Sequence, residues 1–192
     1  MKKIIYILLI ASVFASCNQG DNKAKELSDK NKAGMQKFYD EVMNKHNPAM
    51  IDSLLVADYT AHESDPSMQT KTREEFKKMM VDFFAAMPDL NYKINFMVAD
   101  SDMVVAHYTF TGTNSGSMMG LPATNKKVNI DGVDIVRFKA GKGSEHWGYN
   151  DEIKMMTQLG MKLDMSAMMP DTSKKKMDDK MTKDDSKPEK KK

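Results

Sequence analysis

Apolar residues recur every three or four positions in the first half of the chain and every second position in the part that follows. In "LSDKNKAGMQKFYDEVMNKH" the residues Met35, Phe38, Tyr39, Val42 and Met43 fall on one helical stripe. Asn47-Pro48 restarts a helix, with Asn as N-cap and Pro at the first helical position, and Met50, Ile51, Leu54 and Leu55 form its apolar face. A short extended piece, "DYTAHE", comes next. Thr72 and Glu75 then stand at capping-box spacing before "REEFKKMMVDFFAAM". Its Phe76, Met79, Met80, Phe83 and Phe84 predict a third amphipathic helix, ended by Pro88.

Beyond Pro88 the period drops to two, which marks the passage from helix to sheet. "LNYKINFMVAD" alternates with Tyr92, Ile94, Phe96 and Val98 on one face, and "SD" turns it into "MVVAHYTFTGTN". A polar loop, "SGSMMGLPATNK", leads to "KVNIDGVDIVRFK", and "AGKG" turns into "GSEHWGYNDE". Helical patterns followed by strands predict an α+β fold, the N-terminal helices covering one face of a curved antiparallel sheet. No internal repeat is evident.

The two ends do not fit this pattern. Residues 1–16 combine Lys2-Lys3, the apolar run "IIYILLIASVFA" and small Ser16, the layout of an export signal, and the run is short for a membrane span of about 20 residues. Cys17 is the chain's only cysteine, so no intrachain disulfide can form. "FASCNQG" resembles the lipobox of bacterial lipoproteins, with Phe14 where leucine is usual, and this implies lipidation of Cys17. Two acyl chains on Cys17 would anchor the protein to the membrane in the cell envelope, on the periplasmic side or at an outer membrane. An ordinary cleaved signal with an incidental cysteine is the alternative. Residues 17–30 read as a polar tether, 31–165 as the folded domain and 166–192 as a charged, disordered tail.

From Asp171 the tail has nine lysines against six acidic residues, a surplus of +3, and the signal adds +2. Set against a formal net charge of +2, this leaves residues 17–170 at −3, so no nucleic-acid partner is expected.

Ionisable residues inside strands built for burial are the candidates for chemistry, because a buried charge is costly unless it is paired or used. Asp134 shares its alternation face with Val128, Ile130, Val136 and Phe138, which puts a carboxylate in an apolar cavity if that face is the inner one. There it suits a general acid or base, and pairing with Arg137 or a backbone amide is the structural alternative. His107 lies opposite Val104, Ala106, Tyr108 and Phe110, where it can equally be an outer-face residue, and His62 ends the extended piece. His146 and Asp151 flank the only tryptophan, Trp147, in what reads either as a wet strand or as a pocket wall. His46, near a helix end, reads as structural.

The histidines lack ligand spacing such as H-x-x-x-H, so no catalytic metal is expected, and neither G-x-S-x-G nor a phosphate-binding loop occurs. The twenty methionines mostly occupy apolar helix positions, where they fill a core; a stripe at Met161, Met165 and Met168 suits either packing or Cu(I).

From about Met35 to Gly160 the chain resembles the SnoaL-like polyketide cyclases, or ester cyclases, of the nuclear-transport-factor-2-like (NTF2-like) fold. The resemblance is carried in order by "DYTAHE", "MPDL", "TGT", "GLPAT", "EHW" and the closing "MMTQLG". It implies a cone-shaped α+β barrel with an apolar pocket between sheet and helices, and ring closure by intramolecular aldol condensation without metal or cofactor. On this sequence the matching acid falls at Asp151, supported by His146, Asp134 and His62, while His107, Trp147, Met80 and Phe84 are expected to contact an apolar small-molecule ligand. A homodimer or higher oligomer is compatible with it. Gly148 stands where many relatives have an acid, and Asn125 where a glycine is usual. The alternative is a non-catalytic envelope lipoprotein that binds an apolar small molecule or serves as an interaction module.

Overall fold

A computed structural model describes residues 22–64, 68–118, 120 and 122–161. The expected signal, Cys17 and the tail from 166 lie outside these residues. Helix α1 starts at residue 22, inside the stretch read as tether, and runs to 37. It continues as a π-helical segment, Phe38–Met43. A 3-10 turn, Pro48–Met50, leads into the one-turn α2, Ile51–Leu54. Asn47 precedes Pro48 as expected, but its side chain makes no capping bond. Strand β1 is Leu55–Glu63, followed by helix α3, Arg73–Ala86. Strands β2 (Asn91–Ala99), β3 (Met103–Thr113), β4 (Lys127–Lys139) and β5 (Lys142–Asn150) follow, and α4 is Glu152–Leu159.

The predicted cap of α3 is present: Thr72 accepts from the Glu75 amide, while Glu75 reaches back to the Lys71 amide. Phe76, Met80 and Phe84 form the buried stripe of α3.

The strands make one five-stranded sheet in the order β1-β5-β4-β3-β2, with β1 and β2 at its edges and Thr70 bridging to Ala61 on the outer side of β1. This corrects two expectations. The sheet is mixed, because β1 runs parallel to β5, and "DYTAHE" is the end of a full nine-residue strand. The remaining pairs are antiparallel. Register shifts interrupt the β1–β5, β2–β3 and β4–β5 pairs, and irregularities of this kind bend and twist a strand locally.

The shift in β2 overturns a predicted face. Ile94 pairs with Tyr108 but Phe96 pairs with His107, so the alternation inverts at Asn95. Tyr92 and Ile94 pack on the core, whereas Phe96 and Val98 stand more than half exposed on the outer face.

The core lies between the helices and the inner sheet face. Tyr39, Val42 and Ile51 from the helices meet Val104, Val128 and Ile130, all essentially without exposure. Each such side chain contributes roughly 1.5–3 kcal/mol of burial. Tyr39, Tyr92 and Tyr108 pack ring against ring at 5.0–5.8 Å, and Tyr92 and Tyr108 line the cavity described next.

Candidate active site

On the inner face, β4 and β5 place Asp134 beside Gly148 and Val136 beside His146. On the other flank of β5, Ala61 pairs with His146 and Glu63 with Gly148. Strand alternation then turns Tyr59, Ala61 and Glu63 inward together. Gly148 makes this crowding feasible, since a Cβ there would run into Glu63 Oε2 and lie 3.0 Å from His146 Cε1. Gly132 does the same for Tyr108, whose hydroxyl occupies the space of a side chain at 132. The missing side chain at 148, read from the sequence as a missing acid, is the room in which a carboxylate from the adjoining strand lies.

His146 sits between two carboxylates. Its Nε2 is 3.0 Å from Asp134 Oδ1 and its Nδ1 is 3.2 Å from Glu63 Oε1. Neither contact has the alignment of a good hydrogen bond, so we read both as charge contacts at close range. Burial alone would push the imidazole pKa down; the Asp134 charge first, and then Glu63, reverse this and hold it at about 10. His146 is therefore an imidazolium at neutral pH.

Asp134 has further partners. The Tyr39 hydroxyl donates to Oδ2 at 2.6 Å, and the Tyr108 hydroxyl lies 3.3 Å from Oδ1 and 2.9 Å from Asn150 Oδ1. Burial, reinforced by the Asp134 charge, keeps Tyr39, Tyr59, Tyr92 and Tyr108 well above the usual phenol range. Their hydroxyls stay protonated as donors. Tyr39 comes from the π-helical segment of α1, a local widening that often marks functional sites.

These groups face a cavity of about 130 Å³ between the sheet and helices α1, α3 and α4. Its lining is mostly apolar, and eight of its residues are methionines, among them Met79, Met80, Met155 and Met156. Thioether side chains adapt to irregular shapes, so this wall suits an apolar ligand of variable outline. The cavity's charged lining includes the Glu63–His146–Asp134 group.

Of the residues singled out from sequence, the structure brings Asp134, His146 and Met80 together at the cavity. It places the others elsewhere. Asp151 is the N-cap of α4, accepting from the Lys154 amide at 3.0 Å, and is exposed outside the cavity, because the strand ends one residue earlier. His62 and Trp147 project from the outer face, stacked at 5.3 Å, with His62 3.1 Å from Glu145 and the Arg137 guanidinium over the indole. Arg137 thus serves Glu145 rather than Asp134. His107 is also on the outer face, stacked on Phe96 and beside Asn95. Phe84 is a buried core residue against His46, which itself meets the Leu90 carbonyl.

Glu63, Tyr39 and Tyr108 escaped the sequence reading. For Glu63 the signal was present: Tyr59, Ala61 and Glu63 alternate within "DYTAHE", which puts the acid, not His62, on the apolar face.

The family model for SnoaL-like polyketide cyclases matches residues 33–159. No curated protein matches the chain. Among solved structures, a provisionally assigned SnoaL-like polyketide cyclase from Jannaschia sp. CCS1 aligns with a TM-score of 0.66 at 16% identity, covering 71% of this chain and 96% of that one. A provisionally assigned polyketide cyclase from Acidithiobacillus ferrooxidans aligns with a TM-score of 0.62 at 27% identity, over 68% and 94%. AclR from Streptomyces galilaeus, provisionally assigned as a hydroxylase, gives 0.61 at 25% identity, over 69% and 97%.

Proposed function

We propose that the cavity of this chain, which belongs to the SnoaL-like polyketide cyclase family, carries out acid/base chemistry on a small apolar carbonyl compound, as an aldol-type cyclisation or an isomerisation. The observation that carries this reading is a buried imidazole held between two carboxylates in the lining of an apolar cavity.

A pocket carboxylate, Asp134 or Glu63, takes a proton from the carbon α to the carbonyl. The electron pair of the broken C–H bond moves into an enolate, whose oxygen is stabilised by the His146 cation and a tyrosine hydroxyl. In the aldol case the enolate carbon bonds to a second carbonyl carbon, and the alkoxide formed takes the proton back from the protonated carboxyl group, so no net proton is consumed. Fold and family leave the reaction open, as a relative provisionally assigned as a hydroxylase illustrates.

One observation favours the second reading, apolar-ligand binding without turnover: both oxygens of Asp134 already have partners. We also propose that lipidation of Cys17 anchors the domain in the cell envelope, a reading supported by the sequence "FASCNQG" alone.

The test is α-proton exchange. Phenylacetone incubated with the protein in D2O should lose its α-hydrogen NMR signals faster than in buffer, and His146→Gln should remove the acceleration. Line broadening of the ketone by the protein without any acceleration of exchange would support the binding reading instead.

A further inference from the structure

We propose that Glu63 is the carboxylate that takes the substrate proton, while Asp134 is a fixed anion that positions His146. This rests on the acid/base reading above and assigns its central step.

The two carboxylates differ in how their oxygens are used. Asp134 Oδ2 accepts the Tyr39 hydroxyl at 2.6 Å; Oδ1 faces His146 Nε2 at 3.0 Å and the Tyr108 hydroxyl at 3.3 Å. To take up a substrate proton, Asp134 would have to surrender one of these partners in a buried setting, where an unpaired polar group is costly. Among the described residues Glu63 has a charged partner on one side only: its Oε1 meets His146 Nδ1 at 3.2 Å, and no hydrogen bond or ion pair among these residues engages Oε2. That second oxygen lies in the space left by Gly148, and Glu63 borders the cavity.

Position in the fold separates the two as well. Asp134 lies in mid-strand on β4, paired on both sides with Ala106 and Gly148, and is bonded to a tyrosine of α1. It is held from three elements. Glu63 is the last residue of the edge strand β1, so its side chain can move between His146 and a ligand without disturbing the sheet. A fixed anion suits the task of orienting a cation, and a carboxylate with an unengaged oxygen suits proton transfer.

The step balances within the chain's own groups. Glu63 Oε2 bonds to the α-hydrogen, the C–H electron pair passes into the enolate, and the carboxylic acid so formed returns the proton to the enolate or alkoxide oxygen beside the His146 cation.

The experiment follows phenylacetone α-exchange in D2O by NMR for the full chain and for Glu63→Gln, Glu63→Asp and Asp134→Asn, each shown by circular dichroism to be folded. Phenylacetone line broadening measures binding separately. We expect Glu63→Gln to lose exchange by about 100-fold or more while still binding the ketone, and Glu63→Asp to recover part of the rate. Asp134→Asn should lower exchange less than Glu63→Gln does and lower the NMR titration midpoint of His146, as removal of a fixed anion requires. Full exchange in Glu63→Gln with loss in Asp134→Asn would overturn the assignment and leave acid/base catalysis standing. An unaltered parent chain that bound the ketone but did not accelerate its exchange would overturn both.

Discussion

The two faces of the sheet carry the same pair of groups at almost the same separation. On the inner face His146 Nε2 is 3.0 Å from Asp134; on the outer face His62 Nε2 is 3.1 Å from Glu145. The inner side chains are only 10% and 16% exposed, the outer ones 44% and 33%. In water the attraction is screened and each group has solvent as an alternative partner, so the outer pair adds little. Inside, neither group has such an alternative, and losing one strands the others. Proximity in a list of contacts therefore says little about function until the medium is specified. Residues 145, 146 and 147 make the point within one strand, since Glu145 and Trp147 belong to the wet face and His146 to the cavity.

The comparison is broken most directly at its inner member. His146→Ala leaves Asp134 and Glu63 buried together without their cation and is expected to cost about 3–5 kcal/mol in urea unfolding. A loss under about 1 kcal/mol would mean that water already reaches the carboxylates.

Acidity gives the next effect. The folded pKa of His146, about 10, lies above its ordinary 6.5, so its contribution to stability is complete below pH about 6.5 and is lost as pH rises through about 10. Melting temperature should fall across that window by the equivalent of a few kcal/mol, and this part of the slope should vanish in His146→Gln.

Asp151 then separates capping from chemistry. Asp151→Ala should cost about 1 kcal/mol through the lost cap of α4, whereas Asp151→Asn, which still caps, should change thermal stability little. Ketone exchange should persist in both. The smallest effect belongs to the outer pair: His62→Ala should shift unfolding by about 0.5 kcal/mol or less, and a larger change would show that the outer face is covered in solution.

The parts of the fold that depend on neighbouring residues were legible in the sequence. Helical stripes, the Thr72 cap and the alternation of Asp134 with Val128, Ile130 and Val136 all follow from local period. What depended on distant partners was not. Nothing within residues 55–63 announces parallel pairing with a strand from the other end of the domain, and nothing in "NYKINF" marks the register shift that sends Phe96 outward. Tyr39 was assigned to the apolar stripe, but its hydroxyl's partner lies 95 residues away. Asp151 misled for the opposite reason: its neighbours suggested a strand, and the strand stops one residue short of it.

The parallel seam between β1 and β5 also bears on how the chain folds. Strands β2 to β5 form successive antiparallel pairs, while the contact of His62 with Glu145 joins residues 83 apart and so closes a much larger loop. In kinetic terms the meander is the local, fast part and the seam is the non-local, late one. The chain's single tryptophan sits on that seam, its indole stacked on the His62 ring of the opposing strand. Its fluorescence is thus a built-in clock for the docking of β1. Because Glu63 follows His62 on the same strand, the moment at which the indole signal settles is also the moment at which the cavity receives its second carboxylate.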